Sequence, residues 1–192
     1  MSDDSTPFIV VPMNRLPTEV RDPSNKKAIN DQKQFIRERI IGVSNADLVN
    51  DLEAMDLLNK LGSDLNINAF ACNFRYSDGT VNKDIEEANA LNRRIFERLS
   101  VRSPEQDPLS IPFYLTSTTF GTEDYKECAA NLKERLGLEG PQDLFVLRNV
   151  VMCPFSTSHG FLRELTDYFQ SVLEDEVEVS STNPSPKLDM VC

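Results

Sequence analysis

The sequence has few of the residues from which metal, redox and nucleotide sites are built. Its single histidine, His159, has no second histidine with which to share a metal, and its cysteines lie far apart with no Cys-x-x-Cys pair. This usage disfavours a structural metal and a disulfide framework and predicts reduced thiols. The seven glycines form neither G-x-G-x-x-G nor a P-loop, which disfavours nucleotide binding. The four cysteines are Cys72, Cys128, Cys153 and Cys192.

Basic residues and long apolar runs are also scarce. The chain has 20 lysines and arginines against 31 aspartates and glutamates, a formal net charge of −11. This charge repels nucleic acids and anionic membranes, so neither is expected as a partner. No apolar run approaches the ~20 residues of a membrane span, and no basic segment followed by an apolar one opens the chain. We therefore expect a cytoplasmic protein.

What the sequence does contain is a clear strand-turn-helix unit. Phe70, Cys72 and Phe74 alternate onto one face of a strand, and Asp78-Gly79 follows as a tight turn. Asn82 is placed as the N-cap of the next helix. The apolar stripe of that helix comprises Ile85, Ala88, Leu91, Ile95 and Leu99.

Similar patterns extend in both directions along the chain. Before this unit, Phe8–Val11 predicts a short edge strand, and two helices, Lys26–Ile41 and Ser44–Leu61, predict a helical hairpin. After it, strands are predicted at Ile111–Phe120 and Leu144–Met152, each followed by a helix. Thr122 is the predicted cap of the first of these helices, and Ser156, Thr157 or Ser158 is the predicted cap of the second. The apolar face of the second helix comprises Phe161, Leu165, Phe169 and Val172.

This order of elements predicts an α+β fold: a small, largely antiparallel sheet with helices packed on one face, preceded by a helical hairpin. A parallel sheet is the alternative, because strands and helices alternate. With 192 residues and 40% hydrophobic residues, the chain can bury one core and a few appendages. We expect an extended segment at 1–25, a helical lead-in at 26–61, a small domain at 62–174 and a disordered acidic, Ser- and Pro-containing tail at 175–192.

Arg148 is the most informative single residue, because it interrupts the strongly apolar run Leu144–Met152. An arginine in this context lies at an exposed edge, pairs with a carboxylate, or binds an anionic ligand, since an unpaired buried guanidinium is costly. Its planar fork fits a carboxylate through two hydrogen bonds. The structural alternative, an outward-facing arginine paired with a surface glutamate, stays open. His159 and Cys153 both precede the last helix, where a surface histidine and a buried thiol are the simplest interpretations.

Three segments resemble the C-terminal part of group II pyridoxal-phosphate-dependent amino-acid decarboxylases, the family of the glutamate, cysteine-sulfinate and aromatic amino-acid decarboxylases. They are Leu61–Arg75 (LGSDLNINAFACNFR), Asp84–Asn92 (DIEEANALN) and Leu147–Pro154 (LRNVVMCP). The similarity covers roughly residues 60–173. It implies a small C-terminal domain of antiparallel sheet and helices, and it implies that Arg148 binds the carboxylate of the amino-acid substrate.

The same resemblance implies pyridoxal phosphate as a cofactor, but not one that this chain binds alone. The family's Schiff-base lysine lies in a His-Lys pair of the large domain, and no His-Lys pair occurs here. We therefore expect a truncated or split decarboxylase that contributes only the small domain and is inactive alone. The alternative is a non-catalytic module that binds or modulates full-length decarboxylase subunits. Self-association or association with a large domain is expected in either case.

Overall fold

A computed structural model of the chain describes residues 6–61, 67–101, 103–107, 110–150 and 160–182. The contacts divide the chain into two compact units. The sheet-bearing unit comprises residues 1–13 and 67–192, and the helical unit comprises residues 14–66. Along the sequence, the first strand of the sheet is therefore separated from the rest of its unit by residues 14–66.

The sheet has four strands in the order β1-β2-β4-β3, and every neighbouring pair is antiparallel. They are β1 (Phe8–Pro12), β2 (Ile67–Phe74), β3 (Thr116–Phe120) and β4 (Leu144–Val150). The predicted α+β class with a small antiparallel sheet is confirmed, and the parallel alternative is wrong. As predicted, β1 is an edge strand, while β4 lies inside the sheet between β2 and β3.

Three helices accompany the sheet: α5 (Ile85–Arg98), α6 (Thr122–Leu136) and α7 (Phe161–Thr182). Successive strand residues point to opposite faces. Phe70, Cys72 and Phe74 share one buried core with residues of α7, whereas Ala71 belongs to a second core with residues of α6. Helix α7 thus covers one face of the sheet and α6 covers the other, so helices lie on both faces.

Helix α5 lies where β2 and β4 diverge. The pairing of β2 with β4 ends at Phe70 and Leu147. Beyond that point Asn92 bonds both backbone groups of Cys72, accepting from its N–H at 2.9 Å and donating to its C=O at 2.7 Å. Asn89 accepts from the N–H of Phe145 at 2.7 Å. Buried backbone N–H and C=O groups need hydrogen-bond partners. The two side-chain amides therefore supply the hydrogen bonds that a neighbouring strand would otherwise make.

The cap of α5 differs from the prediction. Asp84 is the N-cap, and its carboxylate accepts from the N–H of Glu86 at 2.9 Å. Asn82 is fully buried and instead donates to the side chain of Asn73 at 3.0 Å. Asn73 in turn donates to the carbonyl of Leu136 at the end of α6. The buried pair of Asn82 and Asn73 outweighs the capping preference of Asn82. The sequence pattern alone does not indicate this pair.

Other sequence-based boundaries change at β3, which begins at Thr116 rather than at Ile111, at the start of α6 and at the end of α7. Helix α6 is capped at Gly121 rather than at Thr122, whose hydroxyl donates to the carbonyl of Pro141 at 2.9 Å. Helix α7 continues through Thr182, so residues 175–182 are helical and the predicted disordered tail is wrong there. The physical reason is that Val177 is buried and that Glu176 pairs with an arginine of α5. Residues 183–192 lie outside the described residues.

The helical unit contains four helices: α1 (Pro17–Arg21), α2 (Lys26–Arg39), α3 (Asn45–Leu48) and α4 (Leu52–Leu61). The predicted second helix is divided between α3 and α4, because Asp51 accepts from the N–H of Ala54 and starts a new helix. The predicted extended segment contains α1, which Pro17 favours at its first position. The hairpin prediction therefore identified α2 and α4 but missed the helix before them and the break.

Candidate functional site

The candidate site is the end of β4, where Arg148 follows an apolar run that buries Leu144, Val146 and Leu147. Directly opposite Arg148 are Ala69 of β2 and Thr116 of β3. Alternation places Arg148 on the same face as Val146, the face that α6 covers farther along the sheet. The neighbouring strands fix both sides of Arg148, so its guanidinium extends from a rigid base.

The hydrogen bonds of Arg148 leave most of its donors unused. Its Nη2 donates to the carbonyl of Ser117 at 3.2 Å. The Nε–H is buried and has no hydrogen-bond partner among the described residues. Thr116 fixes the backbone, because its hydroxyl donates to the carbonyl of Arg148 at 3.3 Å. A guanidinium offers five N–H donors, and a buried donor without a partner costs free energy, so this arginine can accept an anion.

No carboxylate of the described residues pairs with Arg148. The alternative in which a surface glutamate neutralises it therefore finds no support within this part of the chain. The contrast with Arg94 is direct: its Nε donates to Glu176 Oε2 at 2.8 Å and its Nη2 to Ser180 Oγ at 2.5 Å. Arg148 is thus a partly buried cation whose charge the described residues do not balance.

Two exposed apolar side chains flank Arg148. Ile67 and Val150 are paired across β2 and β4, and both lie on the face of Arg148 because they are two residues from Ala69 and Arg148 respectively. Ile67 is 48% exposed and Val150 is 42% exposed. We call the group formed by Ile67, Ala69, Thr116, Arg148 and Val150 the Arg148 surface. A cation bordered by exposed apolar groups suits a ligand or partner that is both anionic and apolar.

Two asparagines of α5 that bond the backbones of β4 and β2 are the residues of the site that the sequence analysis missed. The Asn89 side chain bonds the backbone on either side of Leu144, where β4 begins. It accepts from the N–H of Phe145 and donates to the carbonyl of Asp143 at 2.9 Å. Asn92 performs the same role for β2 at Cys72. A signal was present, because both asparagines fall within the apolar stripe of α5. Polar residues at such positions are buried only when their hydrogen bonds are satisfied.

Among the other candidate residues, Cys72 lies within the described residues. His159, Cys153 and Cys192 lie outside the described residues. Cys72 is fully buried, and burial raises the pKa of its thiol, which makes it unreactive. Within the described ranges, no three histidine, cysteine, aspartate or glutamate side chains lie together in a way that could hold a metal ion.

The lysines of the described residues do not fit pyridoxal phosphate. A Schiff-base lysine needs a desolvated or otherwise activated amine that the aldehyde can reach. Lys133 is buried, but its Nζ donates to the Thr122 hydroxyl at 2.8 Å. Lys60 and Lys83 are exposed and pair with Asp56 and Glu139. The other lysines in the described ranges are exposed: Lys26, Lys27, Lys33 and Lys126.

Comparison with known proteins adds no family assignment. No protein-family model matches the chain, and no curated protein matches it. Among the helices that the structure describes, none combines the length and apolar character needed to cross a membrane.

Proposed function

We propose that this chain supplies the small domain of a group II pyridoxal-phosphate-dependent amino-acid decarboxylase and that Arg148 binds the carboxylate of the amino-acid substrate. The observation that carries the proposal is the position of Arg148: partly buried, held on both sides by strands, and without an ion pair among the described residues. The resemblance of three sequence segments to that family, and the antiparallel sheet with helices, support the same conclusion.

The chemistry assigned to this chain is limited to binding and orientation. Two parallel N–H···O bonds from one guanidinium fix both the position and the plane of a carboxylate. A carboxylate that draws the guanidinium away from Ser117 also provides a partner for the Nε–H, which the free protein leaves unpaired. Binding therefore gains from a donor that is already desolvated and has no bond to lose.

The cofactor would be held by residues outside this chain. Pyridoxal phosphate supplies an electron sink for the carbanion that decarboxylation leaves. The described lysines do not fit it, so we assign no step of that chemistry to residues of this chain. The large domain, whether on the same polypeptide or on a companion, would meet the Arg148 surface and enclose the substrate between the two domains.

The proposal is tested by NMR titration of arginine side chains. Full-length protein labelled with ¹⁵N-arginine is titrated with L-glutamate, and the Nε resonance that disappears in Arg148→Gln is assigned to Arg148. We expect a saturable shift of that resonance in the wild type. The Arg148 variants lack this resonance, so their affinity for L-glutamate is compared with that of the wild type by isothermal titration calorimetry. We expect weaker binding in Arg148→Lys, which keeps the charge but loses the planar fork. L-glutamate dimethyl ester, in which both carboxylates are blocked, is the ligand control.

The matched protein control is Arg37→Gln, which removes an exposed arginine of α2 and leaves the Arg148 surface intact. It should bind L-glutamate like the wild type. Equal binding by wild type and Arg148→Gln, or an equal response to the ester, would overturn the role assigned to Arg148.

A second candidate function is favoured by the exposed Ile67 and Val150. These side chains are paired across the sheet and uncovered, and exposed apolar groups mark contact surfaces. They support a non-catalytic module that binds or modulates decarboxylase subunits without contacting substrate. The same titration separates the two candidates, because the module predicts no carboxylate-dependent shift at Arg148.

A further inference from the structure

Strand β3 forms one edge of the sheet, and its outer side is not paired with any described strand. The register shows which of its backbone groups point outward. Phe145 of β4 gives its N–H to Asn89 at 2.7 Å, so its pair with Thr119 is not hydrogen-bonded. Hydrogen-bonded and non-hydrogen-bonded pairs alternate along an antiparallel ladder. The backbone N–H and C=O groups of Ser117 and Thr119 therefore point away from β4.

The described parts of the chain close this edge at its two ends. Before β3, the N–H of Leu115 donates to the carbonyl of Leu99 at 2.8 Å. After β3, the chain turns into α6 at Gly121. Between these points no described residue accepts from the N–H of Ser117 or Thr119, and Thr119 is exposed. We call the outward-facing backbone of Ser117 and Thr119 the β3 edge.

The composition of β3 favours pairing with a further strand. Exposed sheet edges pair readily with other chains, and natural proteins protect them with proline or lysine, among other devices. The other edge strand, β1, follows Pro7 and ends at Pro12. Strand β3 contains neither proline nor lysine, and its threonines favour extended backbone. An extended peptide fits such an edge, because its main-chain groups can bond those of the edge strand.

Arg148 indicates the chemistry of that peptide. Its Nη2 donates to the carbonyl of Ser117 at 3.2 Å, so the guanidinium lies at the β3 edge. No carboxylate of the described residues balances its charge, and its buried Nε–H has no partner among them. A carboxylate on an added strand supplies the counter-charge and releases the Ser117 carbonyl for the peptide backbone. A neutral strand gains no ion pair and shares that carbonyl with Arg148, so the edge favours an acidic segment.

The same register fixes where the carboxylate belongs. In an antiparallel added strand, the residues opposite Ser117 and Thr119 form the hydrogen-bonded pairs. The residue between them lies opposite Thr118, and its side chain points to the face of Arg148. A second copy of β3 does not meet this requirement, because β3 contains no carboxylate. We propose that the β3 edge binds an extended acidic segment of another protein, whose central carboxylate pairs with Arg148.

The test is an NMR titration of the ¹⁵N-labelled full-length chain with the acetylated and amidated peptide Ser-Val-Thr-Glu-Thr-Val-Ser. The amide resonances of Ser117 and Thr119 should shift saturably, and both amides should exchange with solvent more slowly in the complex. Glutamine in place of the peptide's glutamate should weaken binding by about tenfold, because a charge-assisted pair is lost. Methylation of the backbone nitrogen of the threonine before the glutamate should weaken binding too, since it removes an N–H that pairs with the β3 edge.

Two protein variants test the ion pair from the other side. Arg148→Gln should weaken binding of the glutamate peptide by about tenfold. It should not weaken binding of the glutamine peptide, whereas misfolding of the variant would weaken both. Arg163→Gln removes an exposed arginine of α7 and should bind both peptides like the wild type.

Three results would overturn the proposal. The first is an absence of binding at millimolar peptide. The second is slow exchange of the Ser117 and Thr119 amides in the free protein, which would mean that another part of this chain already covers the β3 edge. The third is equal affinity for the glutamate and glutamine peptides, which would remove Arg148 from the interface. The titration contains no free amino acid, so its failure is distinguishable from failure of the proposed function.

Discussion

Arg94 and Arg148 are both partly buried arginines of the sheet-bearing unit, yet the described residues neutralise only Arg94. Arg94 reaches from α5 to α7, where its Nε donates to Glu176 and its Nη2 to the hydroxyl of Ser180. Within the part of the chain that the structure describes, Arg148 makes one guanidinium hydrogen bond, to a backbone carbonyl, and its Nε–H has no partner. The first arrangement joins two helices, while the second keeps a cation available. Burial of an arginine therefore says little about its role until its anionic partner is identified.

The largest expected effect is on the neutralised arginine. Glu176→Ala should lower the free energy of unfolding by about 2 kcal/mol, less than the ~3–5 kcal/mol typical of fully buried pairs, because the Arg94 side chain is still 32% exposed. Urea denaturation measures the change. Glu178→Ala is the matched control, since Glu178 lies on the same helix but is exposed, and it should change stability by less than ~0.5 kcal/mol. Equal losses in the two variants would show that the Arg94 pair contributes nothing to the docking of α7.

The second prediction concerns the arginine without an anion. Arg148→Met keeps an apolar stem of similar length and removes the charge and the unpaired Nε–H. The free energy of unfolding should therefore change by less than about 1 kcal/mol. The same urea experiment gives the value. A loss as large as that of Glu176→Ala would mean that Arg148 holds the sheet together, and the comparison between the two arginines would then fail.

The sequence predicted the fold better than it predicted these partners, for a physical reason. The alternation of Phe70, Cys72 and Phe74 and the apolar run around Arg148 are local patterns, and local patterns specify which face of a strand is buried. Arg94 and Glu176 are 82 positions apart, and nothing local to either residue indicates the other. The sequence analysis placed Glu176 in a disordered tail, because a charged segment is predicted as ordered only when the residue that pairs with it is known.

The candidate site was predicted in the same partial way. Arg148 was identified from its contrast with apolar neighbours, and the antiparallel register then placed Ala69 and Thr116 beside it. The asparagines that hold the strands around it were not identified. The apolar pattern of α5 and that of β4 are each local, and neither predicts that the Asn89 side chain bonds the backbone of β4. Sequence patterns thus locate a chemically unusual residue more readily than the groups that position it.

The smallest expected effect belongs to a third arginine, Arg39 of the helical unit, whose pair with Asp51 is more exposed than the pair of Arg94 with Glu176. Its hydrogen bonds hold the pKa of the Asp51 carboxyl below the ordinary value. A lowered folded-state pKa means that the pair stabilises the unit above the unfolded pKa of about 3.9 and that this contribution disappears as the pH falls through the lower, folded value. Salt also weakens it, because the pair is on the surface.

Arg39→Gln should therefore flatten the acid side of the stability curve of the helical unit. The measurement is the urea midpoint of α4 amide resonances, followed from about pH 6 to about pH 2, the range over which a carboxylate of this kind titrates. Arg37→Gln, on the same helix but without a carboxylate partner among the described residues, should keep the wild-type slope. If Arg39→Gln keeps it as well, the pair contributes nothing measurable. Ion pairing alone would then not make an arginine structural, and the distinction between Arg94 and Arg148 would depend on the burial of Glu176 rather than on its charge.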